Sequence, residues 1–194
     1  LPAAPDIDDA ILERVLLRHE SGARVALAPA PGPGTPDPYG GLIPRLARLL
    51  AYLDEQGFDV VLVDTGGTNA DLDGYVLEAV DDIYYVFTPT ACGIFDLYRG
   101  VAALRRAGHR AKLRLVLNHA HAGVDMREVF GDLRMDTVAE IPTLAALAAA
   151  EAAHLPACLA DQSIGEALQE LALSIYPDAV VGAPAGRQEV PLRR

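Results

Sequence analysis

The sequence predicts an α/β fold, a doubly wound and mainly parallel sheet with helices on both faces. Three observations predict it. Short apolar runs rich in β-branched residues recur at 60–64, 83–87, 113–117 and 137–141. Runs of this kind suit strands covered on both faces, as in a parallel sheet. Amphipathic stretches of helical spacing alternate with them, joined by short loops. The runs also end in similar punctuation: Asp64-Thr65-Gly66-Gly67, Thr88-Pro89, Asn118-His119 and Pro142. Parallel strands place such ends on one edge of the sheet, where open α/β sheets bind ligands.

Taken in order, Asp6 or Asp8 caps a helix running to about His19, with Ile11, Leu12, Val15 and Leu16 on one face. Residues 24–28 form a short apolar strand. Residues 29–41 hold five prolines and four glycines and read as a surface loop. It has no lysine, and proline removes the amide donors a phosphate-binding loop needs. Residues 42–56 are an amphipathic helix with Leu46, Leu49, Leu50 and Leu53 inward and Arg45, Arg48, Asp54 and Glu55 outward. The strand 60–64 follows, buried and ending in Asp64. A helix spans 71–80, with Leu72, Tyr75, Val76 and Ala79 inward. Helices at 94–107 and 126–133 separate the later strands, and helices at 144–153 and 164–176 complete the fold.

Composition sets limits. The chain has 194 residues, 51% of them hydrophobic, enough for one core. A single domain over 1–176 with a loose tail over 177–194 is the expectation. The net charge of -11 disfavours non-specific nucleic-acid binding through the bulk surface. Two distant cysteines, Cys92 and Cys158, form neither a disulfide framework nor a metal signature. Cys92 reads as a small buried thiol. No apolar run approaches the roughly 20 residues of a membrane span. Arg105, Arg106, Arg110, Lys112 and Arg114 form one basic cluster. It reads either as a solvated helix end favoured by the helix dipole or as a contact surface.

Asp64 is the candidate for chemistry. Followed by Thr65, Gly66 and Gly67, it stands where a phosphate or hydrated metal ion could approach the backbone. Its other reading is a turn residue, since aspartate and glycine are common in turns.

Several pieces together resemble the MinD/ParA group of deviant P-loop ATPases, in particular its CpaE/TadZ branch of pilus assembly and polar localisation. They are Phe58-Asp-Val-Val-Leu-Val-Asp64-Thr, Ala79-Val-Asp-Asp-Ile-Tyr-Tyr-Val-Phe-Thr88-Pro89, Leu113-Arg-Leu-Val-Leu-Asn118 and Ala139-Glu-Ile-Pro142. Order and spacing carry the resemblance, which covers about residues 8–176. It implies ATP and Mg2+ as cofactors. Asp64 matches the catalytic carboxylate that orients magnesium through a coordinated water. Thr65, Gly66 and Gly67 match the switch segment beside the nucleotide. Asn118 matches the asparagine that hydrogen-bonds the adenine edge, and Pro142 and Thr143 match the loop near the base.

The resemblance further implies a homodimer, protein partners in a pilus or secretion apparatus, and a cytoplasmic place, peripheral at the membrane or cell pole. For Arg105, Arg106, Arg110, Lys112 and Arg114 it implies a surface for acidic lipid or DNA. There are departures. Glycines follow Asp64 where the family has prolines or small residues, and His119 stands where arginine is frequent. Nothing matches the Gly-Lys-Gly-Gly-x-Gly-Lys-Ser/Thr phosphate loop, so the chain looks like the C-terminal portion of a longer ATPase. The alternative expectation is a non-catalytic scaffold of the same fold that dimerises and binds partners without ATP hydrolysis. A receiver-type domain lacks its acidic pair and late lysine here.

Overall fold

The computed structural model describes residues 8–19, 22–27, 41–66, 70–121, 125–143, 152, 156, 158 and 161–178. They divide into two units, Leu1–Val80 and Asp81–Arg194, each with its own packing.

In the first unit the Asp8 carboxylate caps helix α1 (Asp9–Val15), accepting from the Ile11 N–H at 2.8 Å. The predicted helix to His19 stops early. Leu16 turns extended, and strand β1 (Leu17–Arg18) pairs antiparallel with β2 (Arg24–Val25). The expected strand over 24–28 is therefore two paired residues, and Leu27 is exposed. Helix α2 (Leu42–Glu55) runs as expected, and Gly57, at φ 71°, follows its end. Its most buried core residues are Tyr52 and Leu53, which pack with Leu12 and Leu16 of the first helical segment. Leu46, Leu49 and Leu50 are half-buried. Arg48 turns back to pair with Asp9. Helix α3 (Ala70–Ala79) buries Val76, while Ala79 is exposed.

The expected strand at 60–64 is not formed. The chain there has no strand partner among the described residues, and Val60, Val61 and Leu62 are 38%, 40% and 75% exposed. A β-branched run favours extended backbone, but a strand exists only through its ladder.

The second unit is a parallel sheet in the order β3 (Ile83–Phe87), β4 (Leu113–Ala120), β5 (Thr137–Pro142). Helix α4 (Ala91–Arg106) and a 3-10 turn (His109–Lys112) connect the first pair of strands. Helix α5 (Arg127–Leu133) connects the second pair. Helix α6 (Gln162–Ile175) follows, with Asp161 as its cap. The expected helix at 144–153 lies outside the described residues apart from residue 152, and so does most of the tail.

Successive strand residues point to opposite faces. Leu115, Val116 and Leu117 are all buried, so β4 is covered on both sides. The two tyrosines of β3 identify the covers. Tyr84 reaches α6, its hydroxyl donating to the Ser174 carbonyl at 3.0 Å, and Tyr85 reaches α4, donating to the Asp96 carbonyl at 3.0 Å. Phe87, on the Tyr85 face, meets Phe130 of α5 edge-on at 6.3 Å. Helices α4 and α5 thus share one face, joined by Tyr98 donating to Asp132 at 3.0 Å, and α6 covers the other. This is the α/β arrangement expected from the sequence. No helix among the described residues is long and apolar enough to cross a membrane.

Candidate functional site

The carboxyl edge of the sheet collects three of the predicted strand ends. Phe87 pairs with Leu117, Asn118 with Ile141, and Ala120 with Pro142. Thr88-Pro89, Asn118-His119 and Pro142 therefore stand side by side. Helix α4 begins there because the Thr90 hydroxyl accepts from the Gly93 N–H at 3.0 Å. The expected start at Ile94 is thus three residues late. Cys92, in this first turn, is exposed, which corrects the expected buried thiol.

Between Asn118 and Ala120 the register shifts. His119 is the extra residue of a bulge, held at φ 59° in the left-handed region that a non-glycine residue rarely adopts. Its N–H donates to the Asn118 Oδ1 at 2.9 Å. Pairing resumes beyond it, the Thr143 N–H donating to the Ala120 carbonyl at 2.9 Å. Asn118 is half-buried, Pro142 is half-buried and Thr143 is exposed.

A cavity of about 750 Å3 opens beside this edge and runs along β5 between α5 and α6. Pro89, Leu117, Met126, Phe130, Pro142 and Ala167 supply its apolar lining. Carboxylates dominate its polar lining: Asp125, Asp136, Glu140, Glu166 and Glu170. Asn118 does not line it. Arg127 grips Asp125 with two nitrogens, at 2.6 Å and 3.0 Å, and this hydrogen bonding lowers the Asp125 pKa to about 2. The cavity and its acidic rim carry no local sequence signature, since their residues come from five separate stretches.

Asp64 belongs to the first unit. It is exposed, and its Oδ1 accepts from the Gly66 N–H at 3.2 Å, with Gly66 at φ 62°. This is the aspartate turn weighed above. Thr65 is half-buried, and Gly67 lies outside the described residues. The turn leaves one carboxylate oxygen of Asp64 without a partner among the described residues. No group of three His, Cys, Asp or Glu side chains that could hold a metal stands among the described residues. A hard cation takes six or more oxygens, so Asp64 fits magnesium only where nucleotide phosphates and waters supply the others.

No protein-family model and no curated protein sequence matches the chain. Solved structures do match. The MinC:MinD cell division protein complex of Aquifex aeolicus aligns at TM-score 0.67 and 16% identity, over 90% of this chain and 72% of that one. The MinD cell division protein of the same organism aligns at TM-score 0.68 and 15% identity, over 88% and 71%. A ParA family ATPase from Chlorobium tepidum TLS aligns at TM-score 0.55 and 16% identity, over 89% and 66%. Beneath this low identity, the chain has the α/β fold of the MinD and ParA ATPases.

Proposed function

We propose that the chain binds ATP with magnesium as part of a MinD/ParA-type positioning protein. One observation carries the reading: Asn118 and Pro142 stand on neighbouring strands at the carboxyl edge of a parallel sheet, beside a cavity. In this reading Asn118 takes the adenine edge through its amide, and Pro142 and Thr143 pack by the base. The cavity's carboxylates suit the neutral base and the ribose hydroxyls, and they would repel a triphosphate. From the sequence resemblance alone, Asp64 is assigned the magnesium, through a water, and Thr65, Gly66 and Gly67 the switch segment. The ion would offset phosphate charge.

The finer placing rests on the sequence resemblance to the CpaE/TadZ branch. In that placing the protein is a cytoplasmic homodimer, peripheral at the membrane or cell pole, and it positions a pilus or secretion apparatus. Isothermal titration with ATP and Mg2+ tests the binding. Asn118→Ala should weaken it by about threefold to tenfold, the worth of one hydrogen bond. Asp64→Asn should remove the advantage that Mg2+ gives ATP. No ATP binding at millimolar concentration in a chain carrying a phosphate loop would refute the reading.

One observation favours the non-catalytic scaffold. Gly66 and Gly67 follow Asp64 where the resembled family has prolines or small residues, a departure in its switch segment. A stable dimer without nucleotide is its expected result.

A further inference from the structure

The amino-terminal edge of the same sheet holds a second cavity of about 300 Å3, which meets the first only at Asp136. Four arginines line it against one aspartate: Arg105 from the last turn of α4, Arg110 from the 3-10 turn, Arg114 from the start of β4, Arg134 from the end of α5, and Asp136. This is a reversal of local charge in a chain of net charge -11.

The four arginines are not equally committed. Arg114 is fixed, with Nη2 3.2 Å from Asp82 and Nη1 donating to the Ala111 and Leu113 carbonyls at 3.0 and 3.3 Å. Arg105 donates Nη2 to the Leu133 carbonyl, while its Nε–H is shut off from solvent without an acceptor. Arg110 and Arg134 are exposed, and their side chains have no ion pair or hydrogen bond among the described residues. Arg134 ends α5 at φ 51°, a strained conformation for any residue but glycine. Of the basic cluster read from sequence, Arg106 and Lys112 do not line the cavity.

We propose that this cavity is a binding site for a compact phosphate-class anion, held by Arg105, Arg110 and Arg134 with Arg114 as a fixed fourth wall. Guanidinium groups bind phosphate oxygens in pairs, and convergent arginines favour a ligand with several such oxygens. The volume is at the lower end for ligand sites, which suits a diphosphate or a phosphorylated lipid headgroup. A duplex backbone would run over the surface and would not need a concavity. The site lies at the edge opposite the proposed adenine position and does not depend on that reading.

The test is titration of the whole chain with sodium pyrophosphate at low ionic strength. Saturable binding is expected, weakened by salt, and reduced about tenfold or more in the double variant Arg110→Gln/Arg134→Gln, since both lost hydrogen bonds are charge-assisted. Both side chains are exposed, so the variant should keep the wild-type melting temperature. Arg106→Gln, on the same helix end but off the cavity, should bind as wild type. Sedimentation with vesicles containing phosphatidic acid separates the sources. Co-sedimentation displaced by free pyrophosphate identifies a lipid headgroup, and pyrophosphate binding without sedimentation identifies a free anion. The proposal is overturned by absence of saturable binding at millimolar pyrophosphate, by equal binding in the double variant, or by duplex DNA binding that pyrophosphate does not displace.

Discussion

Replacing Gly93 by alanine probes the turn that joins β3 to α4 at the sheet's carboxyl edge. An ideal Cβ there would stand 2.3 Å from the Thr88 carbonyl oxygen, 2.6 Å from the Thr88 Oγ1 and 3.1 Å from the Thr90 Oγ1. The first contact decides the outcome, because a carbonyl oxygen cannot swing away as a side chain can. Either the Thr88–Thr90 turn moves or the first turn of α4 does, and the cap from Thr90 to the Gly93 N–H is strained with it. Overpacking of this kind costs about 1–3 kcal/mol. Alanine's better helix propensity returns at most about 1 kcal/mol, and less in a first turn. The net expectation is a loss of about 1–2 kcal/mol. Urea denaturation should show a lower midpoint at unchanged slope. Thr88→Ala removes the hydroxyl contact but leaves the carbonyl, so most of the loss should persist in the double variant. A Gly93→Ala chain as stable as wild type would refute the close-approach argument.

Gly100 should behave differently, because its obstacle is a side chain: an added Cβ meets Tyr85 at Oη 2.4 Å, Cε2 2.5 Å and Cζ 2.6 Å. Gly100→Ala should destabilise by about 1–2 kcal/mol alone, yet stabilise by up to about 1 kcal/mol in a Tyr85→Ala background, a sign change that a double-mutant cycle by chemical denaturation measures. At Asp161 the Ser163 hydroxyl first, and then the Ser163 N–H, hold the carboxyl below its ordinary pKa. Its stabilisation of α6 is therefore complete above the unfolded value of about 3.9 and is lost as pH falls through the lowered folded value. Melting temperatures of wild type and Asp161→Asn should diverge least at the acid end of a titration from pH 6 to 2.5.

What could be read from the chain was what local chemistry decides. The runs at 83–87 and 113–117 became β3 and most of β4, because each apolar stretch met a neighbour on the expected side. Helix α2 followed from its leucine spacing and Gly57. Residues 60–64 have the same composition without the same outcome, since a ladder depends on a distant partner that local composition does not specify. The carboxyl-edge grouping of Thr88, Asn118 and Pro142 was legible from parallel topology alone. The bulge at His119 was not, as nothing in Asn118-His119-Ala120 marks a left-handed residue. Arg134 was missed for a related reason. It lies 20 residues from Arg114 in sequence, and only the parallel pairing of β4 with β5 brings their starts to one edge.

Under the adenine role proposed for Asn118, the His119 bulge would also bear on the selectivity of its amide. With the Oδ1 of Asn118 accepting from the next residue's main chain, the amide has a fixed orientation, and its Nδ2 hydrogens face away from that bond. A side chain already locked by its own backbone loses less rotational freedom when a guest arrives. It also cannot invert to suit a guest of opposite pattern without breaking the bond that holds it. A base presenting donor and acceptor in one order would be welcomed, and its mirror arrangement would meet an amide facing the wrong way.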